Sequence, residues 1–112
     1  IDRFIDSTVA YQHYGLGVDI KLINTINKHL TNNFKIDFTF LNLVNLKNMS
    51  KRLKTRKSLN RYDKFNKNFY QRVQKGFLKL DNKNKKRYMI VNSNLDIKFN
   101  EQLIIQSIKK LI

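Results

Sequence analysis

Two short apolar runs, separated by a long stretch of helical pattern, constrain the fold of this chain more than any other feature. The first run, at 37–44, reads DFTFLNLV, and the second, at 88–91, reads YMIV. Nearly continuous apolar runs of this length are typical of strands that are buried on both faces of a parallel sheet. Because parallel strands need a long crossover between them, usually helical, the sequence predicts an α/β fold.

Apolar residues recur at helical spacing in most of the remaining chain. The strongest pattern predicts a helix over 65–81, whose core-facing stripe is Phe65, Phe69, Val73, Phe77 and Leu80. Further helices are predicted at 6–13 with Asp6 or Ser7 as N-cap, from Asp19 as N-cap to Leu30, at 46–56, and from Phe99 to Leu111. An exposed basic loop is predicted at 56–64 and a turn at 81–87.

Two strands do not by themselves make a stable parallel sheet, because such a sheet needs cover on both faces and neighbours at its edges. Ile1 is therefore expected to be the last residue of a third strand, whose body lies upstream. The expected architecture is a partial parallel sheet with flanking helices, in one domain that spans residues 1–112.

The net charge of +15 admits a second hypothesis, a basic nucleic-acid-binding domain. The chain also combines many Asn, Lys and Ile with no Pro and only three Gly, which is the skew that AT-rich codons produce. Most of the charge is therefore interpreted as compositional. The absence of Cys excludes a thiolate metal site, and no apolar run approaches the ~20 residues of a membrane span, so a cytoplasmic location is expected.

The first group of residues that could carry chemistry opens the chain. Asp2 and Arg3 follow the presumed strand at its carboxyl end, where open α/β sheets bind ligands, and Arg3 can hold a phosphate by two parallel hydrogen bonds. Side chains about one helical turn apart could then face one pocket, namely Ser7, Thr8, Tyr11 and Gln12. The alternative is a surface ion pair followed by a capped helix.

The second group is rich in Arg. Arg52 and Arg56 are four residues apart on one helix face, and Arg61 follows in the predicted loop. Such a group can surround a polyphosphate and neutralise charge during phosphoryl transfer, whereas the alternative is a solvated basic face. No G-x-x-x-x-G-K-[ST] phosphate loop occurs in these residues.

The opening segment, Asp2-Arg3-Phe4-Ile5-Asp6-Ser7-Thr8-Val9-Ala10-Tyr11-Gln12, resembles the signature of the thymidylate kinase family. The strand at 37–41, the Arg-rich segment and the helix pattern at 69–77 follow in the order of that family. The resemblance runs from Ile1 to about Leu95. It implies the C-terminal part of a bacterial-type enzyme, with a partial sheet like that of P-loop kinases, a lid at about 54–64, and the N-terminal strand and phosphate loop missing.

The resemblance implies transfer of a phosphoryl group from ATP to dTMP, with Mg²⁺ as cofactor, in a homodimer. Nucleic acid is not expected as a partner, because an Asp-Arg pair at a strand end and an Arg-rich lid do not require it, and no known nucleic-acid-binding motif occurs. It implies that Arg3 holds the dTMP phosphate with Ser7, and that Asp2 acts near Mg²⁺. It places Thr8 and Gln12 against thymine and Tyr11 over the deoxyribose. It assigns the lid cations to Arg52, Arg56 and Arg61, with Arg56 catalytic.

Several positions depart from the family pattern. The segment 56–63 lacks the glycine and two acids of the usual lid, and Asn42 and Asn92 stand where Asp is common. We expect altered fine geometry but no new function. Because the phosphate loop is absent from these 112 residues, we expect no kinase activity from them alone, and a non-catalytic nucleotide-binding module remains an alternative.

Overall fold

The structure is a computed structural model, which describes residues 1–55 and 67–112. It confirms the predicted α/β order of elements. These are α1 (Ile5–Thr8), a π-helix (Val9–Gly15), α2 (Ile20–Leu30), β1 (Thr39–Leu43), α3 (Leu46–Lys54), α4 (Lys67–Lys83), a 3-10 turn (Lys85–Arg87), β2 (Tyr88–Asn92) and α5 (Ile97–Leu111).

The two predicted strands pair in parallel, as expected. The register runs from Thr39 opposite Tyr88 to Leu43 opposite Asn92. Leu41 and Val91 are buried. The prediction that both faces of the strands are buried is wrong for β2, because Ile90 keeps 44% of its surface exposed. When a strand is covered on only one face, every second side chain is buried and the side chains between them stay exposed to solvent.

The first predicted helix is an α-helix only in its first turn. It begins as an α-helix at Ile5 and continues as a π-helix to Gly15. The Leu16 N–H donates to the Tyr11 carbonyl, five residues back, over 3.1 Å, which is the π spacing. Neither Asp6 nor Ser7 is the N-cap; Phe4 occupies that position, and Asp6 lies inside the first turn.

The core lies where the π-helix packs on α4. Ala10, Phe69 and Val73 are buried there, with Phe77 against them, which confirms that the aromatic stripe faces the core. Phe65, the first member of the predicted stripe, lies outside the described residues.

Two glycines permit the close approach of these helices. A Cβ on Gly15 would lie 2.6 Å from the Phe69 ring, and a Cβ on Gly76 would lie 2.6 Å from the Tyr14 ring. Arg72 of α4 donates two hydrogen bonds, of 3.2 and 3.0 Å, to the Gly15 carbonyl. The last carbonyl of the π-helix is therefore satisfied by a side chain from its packing partner.

Helices α2, α3 and α5 follow the predicted boundaries within two residues, and α4 ends at Lys83, two residues beyond the predicted end at 81. Asp19 caps α2, as predicted, by accepting a hydrogen bond from the Lys21 N–H. Asn45 caps α3 in the same way. Helix α5 begins two residues before the predicted Phe99, and none of its residues is buried.

Candidate functional site

A cleft of about 800 Å³ opens between the start of the chain and β1. One wall contains four of the residues singled out from the sequence, namely Asp2, Arg3, Ser7 and Tyr11. The other wall is the continuous segment 34–42, which contains β1 up to Asn42. The fold thus gathers these four polar side chains on one side of the cleft.

Arg3 has an unusual backbone. Its φ of +59° lies in the left-handed region, which costs a non-glycine residue about 1–2 kcal/mol. Strained residues of this kind are concentrated at ligand sites. The Arg3 Cζ lies 5.4 Å from the centre of the Tyr11 ring, within the range of a cation–π contact. The backbone turn and the ring together hold the guanidinium at the cleft.

Asp2 presents an exposed carboxylate in the same wall. Among residues 1–55 and 67–112, no three His, Cys, Asp or Glu side chains are grouped so that they could hold a metal ion. Mg²⁺ in phosphoryl-transfer sites commonly needs one or two carboxylates, because substrate phosphates and waters supply the remaining ligands. A single carboxylate beside the guanidinium of Arg3 fits that mode of binding.

Thr8 and Gln12 are not among the lining residues of the cleft in the described chain. Thr8 is exposed, and its hydroxyl donates to the Phe4 carbonyl over 3.5 Å. Gln12 is half-buried, and its carbonyl accepts from the Val18 N–H over 2.8 Å. Each follows a cleft-lining residue by one position, so its side chain is rotated about the helix axis away from that residue. Their contacts with a base stay predictions.

A second cluster beside the cleft was not anticipated from the sequence. The Arg87 guanidinium donates to both carboxylate oxygens of Asp6, over 3.1 and 3.2 Å, and to the Thr39 hydroxyl over 2.8 Å. Its Cζ also lies 4.8 Å from the centre of the Tyr88 ring. Asp6 and Thr39 both line the cleft. The cluster therefore fastens α1 to the amino-terminal ends of both strands.

Burial and charge shift two pKa values in this cluster. Burial alone would lower the pKa of Arg87, but the hydrogen bonds and negative charge of Asp6 outweigh it and raise that pKa. Burial raises the pKa of Tyr88 well above its ordinary range, and Asp6 acts in the same direction. Arg87 is thus held cationic and Tyr88 neutral. The sequence offers no pattern that predicts this ion pair, because Asp6 and Arg87 are 81 positions apart and no periodicity relates them.

Of the three arginines in the Arg-rich group, the structure describes Arg52. Arg52 donates over 2.6 Å to the carbonyl of Ser93, just beyond β2. Arg56 and Arg61, and with them nearly all of the predicted lid at 54–64, lie outside the described residues.

Asparagine side chains join the carboxyl ends of the two strands. The Asn45 N–H and the Asn48 Nδ2 donate to the Asn94 Oδ1 over 3.1 and 2.9 Å. The Asn94 N–H donates to the Asn92 Oδ1 over 3.0 Å. Asn92, which stands where Asp is common in the family pattern, therefore accepts a hydrogen bond within the turn after β2.

Within the part of the chain that the structure describes, none of the helices is both long and apolar enough to cross a bilayer.

The chain is similar to known proteins both in sequence and in structure. The sequence model of the family described as "Thymidylate kinase" matches residues 1–104. The chain is 33% identical over 109 residues to a thymidylate kinase from Sulfurihydrogenibium sp. (strain YO3AOP1), covering 97% of the chain and 52% of the relative. It is 39% identical to one from Trichodesmium erythraeum (strain IMS101), covering 84% and 41%.

Among solved structures, the fold is similar to a crystal structure of thymidylate kinase from Ehrlichia chaffeensis. The TM-score is 0.65 at 33% identity, with 96% of this chain and 46% of that chain covered. The chain thus spans about half the length of the curated relatives it matches.

Proposed function

The chain belongs to the thymidylate kinase family, and from this premise we propose that it forms the dTMP-binding part of an enzyme that phosphorylates dTMP. The co-substrate is ATP and the product is dTDP, a step toward dTTP. The observation that supports this most strongly is the position of Arg3. A cation is held at the mouth of a cleft by a left-handed backbone and an aromatic ring, beside Ser7 and Asp2.

In this proposal, Arg3 binds the phosphate of dTMP through two parallel hydrogen bonds, and Ser7 orients the same group. Tyr11 stands over the deoxyribose, where a 2′-hydroxyl would clash. Thr8 and Gln12 contact thymine in the complete enzyme.

Phosphoryl transfer depends on positioning and on neutralising charge. Arg56 is the catalytic cation in the proposal, with Arg52 and Arg61 beside the ATP phosphates. Mg²⁺, when bound, supplies further charge neutralisation on the phosphates, and Asp2 is the carboxylate that would hold it or its waters.

The complete enzyme is proposed to act as a homodimer. Helix α2 supports this, because one of its faces carries exposed apolar side chains: Leu22 at 54%, Ile26 at 48% and Leu30 at 53%. A stripe of exposed apolar side chains along one face of a helix is typical of an interaction surface.

Titration of this chain with dTMP, followed by NMR, tests the assignment of the phosphate site. We expect dTMP to perturb the amides of Arg3, Ser7 and Tyr11. Arg3→Ala should weaken dTMP binding about tenfold or more, because a hydrogen bond to a charged group contributes roughly 1.5–3 kcal/mol. Thymidine, which has no phosphate, should bind both forms equally.

Lys35→Ala provides the matched control, because Lys35 is an exposed cation that lines the same cleft. Its loss should change dTMP affinity only slightly. Equal losses in the two variants would mean that general positive charge, and not the Arg3 site, attracts the nucleotide.

A further inference from the structure

Helix α1 lies outside the core that holds the rest of its helical run. The buried residues of that run, Val9, Ala10 and Gly15, all belong to the π-helix, whereas none of the four residues of α1 in the described chain is buried. Its N-cap, Phe4, has no polar side chain that could accept a hydrogen bond from the first turn. The position of α1 must therefore be fixed by side chains from other elements.

Side chains of Asn27 and Arg87 reach α1. Asn27 on α2 donates to the Ile5 carbonyl over 3.5 Å, which is long for a hydrogen bond. Arg87 donates to both oxygens of the Asp6 carboxylate over 3.1 and 3.2 Å. Because a bidentate contact between opposite charges is stronger and more directional than a neutral hydrogen bond, Arg87 is the main support of α1.

Arg87 is itself fixed to the sheet. It donates over 2.8 Å to the hydroxyl of Thr39, the first residue of β1, and its Cζ lies 4.8 Å from the ring centre of Tyr88, the first residue of β2. Arg87 is not among the described residues that line the cleft, whereas Thr39 and Asp6 both are. The guanidinium therefore holds α1 against the start of β1 from outside the cleft.

The residues proposed to bind the phosphate of dTMP lie on either side of this contact. Ser7 follows Asp6 directly and Arg3 precedes it by three residues, and all three line the cleft. The φ of +59° at Arg3 is a strained conformation, which persists only where the surrounding structure enforces it. Because the contact with Arg87 anchors Asp6, it restricts the backbone from Arg3 to Ser7 and supports that conformation.

Tyr11 is held differently. It lies on the π-helix, and its ring centre is 6.0 Å from that of Phe69 and 6.2 Å from that of Phe77, both on α4. Its position therefore depends on the core and not on Arg87. Loss of Arg87 should affect the phosphate end of the site and spare the nucleoside end.

We propose that Arg87 is a positioning residue for the phosphate end of the dTMP site. It acts through Asp6 and keeps Ser7 and Arg3 where both can contact the phosphate, and it does not touch the nucleotide itself. Such support is needed because hydrogen bonds weaken steeply when distance or angle departs from the favoured geometry. The inference rests on the proposed function, because it concerns how that site is held in place.

The competing explanation is that Arg87 only adds positive charge near an anion site. The two explanations predict opposite effects of Asp6→Asn. That change removes a negative charge from the wall of the cleft, so charge alone predicts tighter binding of dTMP. Positioning predicts weaker binding, because a neutral amide offers Arg87 one acceptor oxygen in place of a bidentate carboxylate.

Calorimetric titration of the 112-residue chain with dTMP and with thymidine tests the proposal. Asp6→Asn should weaken dTMP binding about threefold or more, and Arg87→Ala about fivefold or more. The double variant should lose no more than Arg87→Ala alone, because both changes break the same contact. Thymidine, which lacks the phosphate, should bind all of these variants equally.

Val91→Ala is the matched control for lost stability. Val91 is buried on β2 and is not among the described residues that line the cleft, so the cavity that this change creates destabilises the fold without removing a cleft residue. Its dTMP affinity should equal that of the wild type at a temperature where circular dichroism shows both to be folded. In Arg87→Ala, dTMP should shift the NMR signals of the Arg3 and Ser7 amides less than in the wild type, and that of Tyr11 as much.

The outcomes separate this inference from the function on which it rests. If the wild-type chain does not bind dTMP, or if Arg3→Ala binds it equally well, both are wrong. If Arg3→Ala weakens binding but Asp6→Asn leaves it unchanged or tightens it, the positioning role alone is wrong. Equal losses of dTMP and thymidine affinity, or an equal loss in Val91→Ala, would also overturn that role, because they mean a general loss of structure. Asp6→Asn preserves side-chain size and decides the question even if Arg87→Ala does not fold.

Discussion

Arg87 connects three elements through a single guanidinium. It binds the Asp6 carboxylate on α1, donates to Thr39 at the start of β1, and lies over the ring of Tyr88 at the start of β2. Both members of the ion pair are largely buried, with side-chain exposures of 23% and 15%. At such burial, removing one partner is costly because the other keeps its charge without compensation.

Replacing Arg87 by Ala should lower the free energy of unfolding by about 2 kcal/mol. The loss arises because the Asp6 carboxylate and the Thr39 hydroxyl are left without their donor. Urea denaturation followed by circular dichroism measures it. Lys86→Ala, at an exposed position of the same 3-10 turn, is the control and should stay within about 0.5 kcal/mol. Similar losses in both variants would show that the ion pair contributes little.

Because of Tyr88, the stability of the folded chain should depend on pH in the alkaline range. Burial raises its pKa in the folded chain, whereas in the unfolded chain the phenol titrates near pH 10. Above about pH 10 the folded state therefore binds more protons than the unfolded state, and stability falls as the pH rises. Tyr88→Phe should make the decline in melting temperature between about pH 9.5 and 11 shallower. Parallel declines in the two proteins would contradict this account.

At the scale of elements, the π-helix is maintained by the helix it packs on. A π-helix of seven residues is uncommon, because π-helices occur mostly as single-turn bulges inside α-helices. Here Arg72 satisfies the carbonyl of Gly15, and the two glycines let the backbones approach. We infer that the packing against α4, and not the local sequence, selects π over α geometry.

Gly76→Ala tests that close approach. In a free helix, Ala is favoured over Gly by about 1 kcal/mol, so propensity alone predicts a more stable protein. The added Cβ would meet the Tyr14 ring at 2.6 Å, and overpacking typically costs about 1–3 kcal/mol. We therefore expect a net loss of about 1 kcal/mol in chemical denaturation. The same change in a Tyr14→Ala background should be neutral or stabilising; an equal loss there would exclude the steric explanation.

At the scale of the whole molecule, the described chain exposes much apolar surface. Fifteen large hydrophobic side chains are exposed, against eight hydrophobic residues that are buried. Some of the exposed ones lie on β2 and α5, such as Ile90 and Ile105, next to a sheet of two strands. This distribution agrees with a chain that spans about half the length of its relatives.

The 112 residues alone should release no ADP from ATP and dTMP. No G-x-x-x-x-G-K-[ST] loop occurs among them, and in P-loop enzymes that loop supplies much of the positioning and charge neutralisation. A coupled assay of ADP release measures this, with a full-length family member as positive control. ADP release that requires dTMP and disappears in Arg3→Ala would disprove the prediction.

The sequence by itself determined the class of fold and the wall of the site that lies in the opening segment. Two apolar runs joined by helical patterns gave a parallel pair of strands, because periodicity and length are local properties. The signature from Asp2 to Gln12 identified the family, and six of its residues line the cleft. These features lie close together in the chain, so that a pattern in a short window is enough to recognise them.

The tertiary structure alone decided the rest. The contact of Arg87 with Asp6 joins residues 81 positions apart, and the π-helix packs on Gly76 and Arg72, which are distant from it in the chain. Neither leaves a periodic trace, because both depend on which surfaces meet after folding. The left-handed backbone of Arg3 likewise follows from packing, which is non-local.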